Sequence, residues 1–259
     1  MSNQIHSSAL VSKKAQLGEN NVIGPFAIIE DDVQLGDGNQ IAAHAVIKRF
    51  TSMGNDNLVY EQAVIGGWPQ HLAYTDGSVQ TFCQIGNGNI FREAVTINRA
   101  YHAGQSTVLG NQNFLMVTSH IGHDCVVGDE ITMATSAGLG GHVTVGNKAF
   151  ISGGVMVHQF THIGRYAMIG GNSKITQDVL PFMITDGNPA TVRGLNMVGL
   201  KRAGFSLADI STLKTAYQML FKPGSLASNL AQLDTLEHDL ARELSEFVQA
   251  ADRGFHRDK

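Results

Sequence analysis

Stepping through the chain in sixes from Ile5 meets Val11, Leu17, Ile23, Ile29, Leu35, Ile41, Ile47, Met53, Val59 and Ile65, every one apolar. The phase breaks across residues 66–84. It resumes at Ile85 and runs through Phe91, Ile97, Ala103, Leu109, Leu115, Ile121, Val127, Met133, Leu139, Val145, Ile151, Val157, Ile163, Ile169 and Ile175, with Ala103 the weakest member. A helix repeats every 3.6 residues and does not generate this period. In a strand, residues two apart share a face. The positions two before the apolar ones should therefore also point inward, and they are mostly small or turn-forming: Ala15, Asn21, Ala27, Ala45, Asn57, Ala63, Ser119, Ala137, Ala149 and Ala167. Glycine often follows the aliphatic residue, as at Gly18, Gly36, Gly122, Gly140 and Gly164, and is expected to supply the positive φ that corners need. A short strand and a corner every six residues, three per turn, predict a triangular parallel β-helix with 18-residue coils. It should occupy residues 1–190, with an inserted loop at 66–84.

Past Ile175 the period stops, and residues 191–259 read as a helical domain. Gly204-Phe205-Ser206 leads into a helix with Leu207, Ile210, Leu213, Tyr217 and Leu220 on one stripe. Lys222-Pro223-Gly224-Ser225 breaks it. A second stripe follows at Leu226, Leu230, Leu233, Leu236, Leu240, Leu244 and Phe247. This appendage is expected to pack on itself, on the β-helix or on a neighbouring subunit.

Composition narrows the function. A net charge of −4 over 259 residues gives no basic footprint for nucleic acid. No apolar run is long enough to span a membrane, and the first residues lack the charged-then-apolar order of a secretory signal. Two cysteines suit a reducing cytoplasm, where the protein is expected to reside. Both Cys83 and Cys125 fall two before an apolar position, so they read as buried small residues rather than nucleophiles.

The coil length also gathers chemistry. His123, Gly141 and Gln159 are spaced by 18, as are Asp124 and His142, so one corner of three successive coils presents them together, facing out. His120 and His158 flank the group. A histidine can take a proton from a hydroxyl or amine, a neighbouring carboxylate can fix its tautomer, and a bare glycine N–H can face an oxyanion. No Ser or Cys stands beside His123, which favours direct transfer over a covalent intermediate. A lone surface histidine is more often merely solvated, but a stacked group of this kind is not. No recognised metal-ligand spacing occurs, so no metal is expected.

Several strings, in order, resemble the UDP-N-acetylglucosamine acyltransferase family of lipid A biosynthesis: "HIGHDC" (120–125), "GGHV" (140–143), "VHQF" (157–160), "DGNPA" (186–190) and "GLKRAGF" (199–205). The resemblance spans nearly the whole chain. It implies a left-handed β-helix, although general strand chirality favours right-handed connections. It also implies a C-terminal helical domain, a homotrimer, and transfer of a 3-hydroxyacyl group from acyl carrier protein to the sugar 3-hydroxyl, with no cofactor beyond the carrier's thioester. By the same resemblance His123 is the general base, Asp124 its partner and Gly141 the oxyanion donor. His120, His142, His158 and Gln159 lie around acceptor and acyl arm, Asn196 and Arg202 touch the nucleotide, and Gly171 sits where acyl length is measured.

The departures cluster on the acceptor side. His71 and Ala73 stand where the family carries Asp and Lys, Asn98 where it carries His, Val198 where it carries Glu, and Ala203 where a second Arg is common. Lost charged contacts in a buried site cost affinity, so weak binding of UDP-N-acetylglucosamine is one expectation. Compensation within the pocket, with His71 itself among the replacing groups, is the other. Three functions stay open: the lipid A enzyme, a related acyltransferase acting on another nucleotide sugar (at a hydroxyl or an amine), and a non-catalytic trimeric scaffold.

Overall fold

The computed structural model describes residues 2–74 and 79–257. The six-residue period becomes three sheets of 11, 9 and 8 strands, parallel along the coils and visited in rotation by the chain. Most strands are only two residues long, and the second residue is the buried one, as at Ile23, Ile29, Ile121 and Ile151. These residues and the small ones two positions earlier fill the prism in one continuous core. Cys83 and Cys125 lie in that core, and burial pushes each thiol up to about 12, which leaves them inert.

The glycines differ from expectation. Gly122 and Gly140 do not occupy the left-handed corners. A Cβ at Gly122 would lie 2.8 Å from Gly140 C, and one at Gly140 would lie 2.8 Å from Gln159 N, so glycine is there because coils stack closely. The left-handed positions come two residues later and are mostly not glycine. Asp32, His44, Asp124 (φ 59°) and His142 (φ 61°) are among them.

Two insertions interrupt the stack. Ile65 pairs with Ile97, 32 residues on, across the loop expected at 66–84, part of which lies outside the described residues. The second was not anticipated. Ile85 pairs with Leu109, 24 residues on rather than 18, so residues near 99–104 form an extra excursion and Ala103 is exposed instead of core. An insertion of one full period leaves the apolar phase intact, and period counting passes over it.

Beyond the last coil, strands Met183–Gly187 and Ala190–Leu195 form an antiparallel hairpin. Four helices follow: α1 (Met197–Arg202), α2 (Leu207–Phe221), α3 (Leu226–Leu233) and α4 (Asp239–Gln249). Ser206 and Asp209 form a capping box at the start of α2. The second stripe splits into α3 and α4, because His238 caps a new helix through Leu240 N–H. Leu207, at the first turn of α2, is 84% exposed and does not join the stripe's packing.

His256 ties the C-terminal end to the prism. Its Nε2 accepts the N–H groups of Thr176 and Gln177, both at 3.3 Å, and its Nδ1 meets Ala190 O at 3.0 Å, so the ring serves as a neutral acceptor. Burial lowers its pKa from 6.5, against the contrary pull of Ala190 O and Asp178; burial likewise lowers those of His120 and His142. A lowered folded-state pKa means the neutral form stabilises the fold. That stability is whole above the unfolded value of 6.5 and is lost as pH falls through the folded pKa. The melting temperature should therefore drop between pH 7 and pH 5, and His256→Gln should flatten the drop. An equally steep profile in that variant would assign the acid sensitivity to other groups.

Candidate active site

The corner that follows strand His120–Ile121 carries His123 and Asp124. His123 Nδ1–H donates to Asp124 Oδ2 at 2.7 Å, which leaves Nε2 with a free lone pair. Asp124 Oδ2 also accepts Tyr101 N–H at 2.9 Å, and Asp124 N–H donates to Thr107 Oγ1 at 2.7 Å. Burial raises the Asp124 pKa, but the bonds from His123 and Tyr101 and the charges of His142 and His123 outweigh it, and the carboxyl stays below its ordinary range. The carboxylate is thus ionised and fixed under the ring that it orients.

Gly141 lies one coil further on. A Cβ there would sit 2.7 Å from His123 Nε2, so the imidazole rests directly against a bare backbone. Gly140 N–H is spent on Val157 O at 2.9 Å, whereas Gly141 N–H has no hydrogen-bond partner among the described residues. An unspent donor beside a free imidazole nitrogen is the arrangement an acyl-transfer intermediate requires.

His123 does not face solvent as expected. It points away from the prism core yet is only 8% exposed, because both insertions fold over it. From the first, His71 meets the His123 ring edge-on, with centroids 5.9 Å apart. From the second, Tyr101 lies 4.1 Å from the His71 ring and 6.2 Å from that of His123. His142 closes another side, 5.2 Å from His123 and stacked 4.5 Å from Phe160. Burial lowers the His142 pKa; Asp124 opposes this, while His123, His102 and His71 add to it. His120 is tied by Nδ1 to Thr96 Oγ1 at 2.8 Å, and its pKa is lowered by burial and by His123.

A groove of about 380 Å³ opens beside this group, with Gln70, His120, His123, Gly141, Met156 and Gln159 on its walls. Gln159 is held from behind, its carbonyl accepting Arg253 Nη1–H at 3.0 Å. His158 is exposed and close by, its Nδ1 at 3.1 Å from Gln159 O. Gly171 is exposed one coil beyond Gly153, and a Cβ there would meet only Gly153 O, at 3.6 Å.

Two of the expected residues have structural partners within one chain, and a third stands apart. Asn98 Nδ2–H donates to Trp68 O at 2.7 Å and so pins the first insertion, while its Oδ1 is buried without a partner. Asn196 caps α1 by accepting Gly199 N–H and donates to Tyr166 O at 2.9 Å. Arg202 is exposed at the end of α1. No hydrogen bond, ion pair or ring contact among the described residues joins Asn196 or Arg202 to the His123 group.

Sequence reasoning missed Tyr101, Gln70 and Arg99. Arg99 is fully buried, donates from Nη2 to Tyr74 OH at 2.9 Å and from Nη1 to Arg49 O at 3.2 Å, and so anchors the first insertion from below. The one available signal was a charged residue directly after a run of strand positions. For metal, His123, Asp124 and His142 each offer a ligand atom, all within 4.8 Å of one another. His123 Nδ1 and Asp124 Oδ2 already share a hydrogen bond, which an ion bound between those atoms would have to displace.

Residues 178–256 match the model of the Udp N-acetylglucosamine O-acyltransferase domain 2 family, and residues 14–49 match bacterial transferase hexapeptide repeats. The acyl-[acyl-carrier-protein]–UDP-N-acetylglucosamine O-acyltransferase of Sulfurovum is 44% identical over 253 residues, 96% of each chain. The relative of the same name from Synechocystis is 43% identical over 159 residues, which span 61% of this chain and 57% of that one. Among solved structures, the UDP-N-acetylglucosamine acyltransferase of Bacteroides fragilis superimposes with a TM-score of 0.95 at 33% identity, covering 98% of this chain and 100% of that one.

Proposed function

Because the chain belongs to the UDP-N-acetylglucosamine O-acyltransferase family, and shares the left-handed parallel β-helix of its solved members, we propose that it moves a 3-hydroxyacyl chain from acyl carrier protein to the 3-hydroxyl of UDP-N-acetylglucosamine, the first step of lipid A biosynthesis. The observation that carries this reading is the His123–Asp124 pair seated against the unspent Gly141 N–H.

In this mechanism His123 Nε2 takes the proton from the sugar hydroxyl as its oxygen attacks the thioester carbonyl. Asp124 stabilises the imidazolium without itself taking the proton. The carbonyl oxygen becomes an oxyanion facing Gly141 N–H. Collapse breaks the carbon–sulfur bond, and the departing thiolate recovers the proton from His123. No covalent enzyme intermediate forms. His120, His142, His158 and Gln159 border the reacting groups, and Asn196 and Arg202 are assigned to the nucleotide.

The acceptor departures do not leave an empty pocket. His71 brings a polar ring within 5.9 Å of the base, held in place by Tyr101. This supports compensation within the same site and hence the ordinary acceptor.

The outer faces support a homotrimer. The eleven-stranded sheet presents Val22, Leu58, Ile90, Phe114 and Phe150, and the nine-stranded one Leu10, Ile28, Val46 and Val64. The third is the more polar face, with Gln16, Gln34, Ser52, Gln84, Thr144 and His162 beside Phe82, Val108 and Val126. Two apolar faces per prism fit two neighbours, and a neighbour supplies the groove's second wall. Unpaired Cys83 and Cys125 agree with a cytoplasmic setting, and no helix among the described residues is long and apolar enough to cross a membrane.

Steady-state kinetics on protein of three-chain mass, with 3-hydroxyacyl carrier protein and a panel of nucleotide sugars, test the reading. A specificity constant for UDP-N-acetylglucosamine of about 10⁴ M⁻¹s⁻¹ or above is expected. A markedly higher value for another nucleotide sugar would reassign the acceptor; full activity in a stable monomer would remove the trimer.

A further inference from the structure

Where the β-helix turns its corners, one backbone bond recurs. The N–H at the left-handed position donates to a carbonyl 19 residues earlier, as in Lys148 to Asp129, Gly154 to Thr135 and Tyr166 to Asn147. At the catalytic corner the same ladder runs through the site. Asp124 N–H donates to Thr107 Oγ1 at 2.7 Å, His142 N–H to His123 O at 2.9 Å, and Phe160 N–H to Gly141 O at 3.0 Å. The next rung should run from Asp178 N–H to Gln159 O. It is missing, because Asp178 lacks the left-handed φ of His142 and Phe160 and spends its N–H on Gly254 O at 3.0 Å.

The C-terminal tail fills the gap. Arg253 Nη1–H donates to Gln159 O at 3.0 Å, in place of the absent rung. The tail itself is fixed: Gln177 Nε2–H donates to Arg253 O at 3.4 Å, His256 N–H to Asp178 O at 3.1 Å, and Phe255 is buried. Peptide groups stacked in one direction polarise one another and gather negative charge at the carbonyl end. The guanidinium stands at that end, where a charged donor makes a stronger bond than a neutral one.

Gln159 is coupled to the oxyanion donor in two ways. The peptide that offers Gln159 O to Arg253 also carries Phe160 N–H, which holds Gly141 O. A Cβ at Gly140 would lie 2.8 Å from Gln159 N, so the backbone next to Gly141 packs closely on this residue. A shift of the Gln159–Phe160 turn is therefore passed to Gly141 and its N–H.

We propose that Arg253 is a positioning residue for acyl transfer: by supplying the last rung of the ladder it holds the Gln159–Phe160 turn and, through that turn, keeps Gly141 N–H seated against His123. This rests on the acyl-transfer reading above.

The test uses the full-length protein, with 3-hydroxyacyl carrier protein and UDP-N-acetylglucosamine, assayed well below each variant's melting temperature. Arg253→Ala is expected to lower kcat by about 10-fold with KM for both substrates little changed, since misplacing reacting groups by 1 Å can cost about 10²-fold. Arg253→Lys keeps a charged donor and should recover most of the loss. Amide hydrogen exchange at Phe160 and His142 should quicken by roughly 5-fold in Arg253→Ala, about the worth of one hydrogen bond. An unchanged kcat in Arg253→Ala overturns the role, as does a raised KM with kcat intact, which would make Arg253 a direct substrate contact. A wild type that acylates nothing with any donor overturns the acyl-transfer reading instead. Amide exchange then still decides whether Arg253 holds the turn, and unchanged exchange would show that it does not.

Discussion

Replacing His123 by alanine is expected to lower turnover by roughly 10²–10⁴-fold while the fold survives. The ring carries the free nitrogen that rests against the bare Gly141 backbone, and its Nδ1–H donates the side-chain hydrogen bond that Asp124 accepts there. In the proposed mechanism the variant keeps Gly141 N–H and the groove, which accounts for the residual turnover. The side chain lies outside the prism core, so melting should shift by a few degrees at most, even though it is buried beneath the two insertions. Turnover with 3-hydroxyacyl carrier protein and UDP-N-acetylglucosamine, measured beside a thermal melt, checks both halves. Wild-type turnover in the variant would place the base elsewhere.

Gly141→Ala should cost about 10²–10³-fold in turnover for a different reason. The backbone at Gly141 is not in the left-handed region, so alanine adds no strain of its own. The new methyl would lie 2.7 Å from His123 Cε1 and Nε2, so the imidazole must move off its seat. Because the obstructed group is a side chain, stability should hold while catalysis falls. Gly140→Ala provides the contrast. There the methyl would strike the backbone N of Gln159 at 2.8 Å, and backbone in a stacked coil does not yield cheaply. Loss of stability at 140 and loss of turnover at 141 is the expected pattern. A Gly141→Ala protein with unchanged kcat would show that His123 has room the structure does not give it.

Much of this molecule is written in its spacing. In a β-helix, distance along the chain and distance in space are locked together, because each coil touches only the next. The six-residue apolar period therefore specified the sheets, the buried cysteines and the inward alanines, and the 18-residue spacing brought His123, Gly141 and Gln159 to one corner. The period did not reveal why glycine follows the aliphatic residues, since backbone crowding between coils and a need for positive φ leave the same mark in a sequence. Nor did it show the excursion near 99–104, which keeps the phase by being one period long. That excursion brings Tyr101 onto Asp124 and His71, and with the first insertion it turns an outward histidine into a buried one. The sequence by itself determined the repeating core and the gathering of His123, Asp124, Gly141, His142 and Gln159 at one corner. Only the tertiary structure decided what covers that corner, because a loop goes where non-local contacts such as Arg99 to Tyr74 and Asn98 to Trp68 hold it, and no period encodes those.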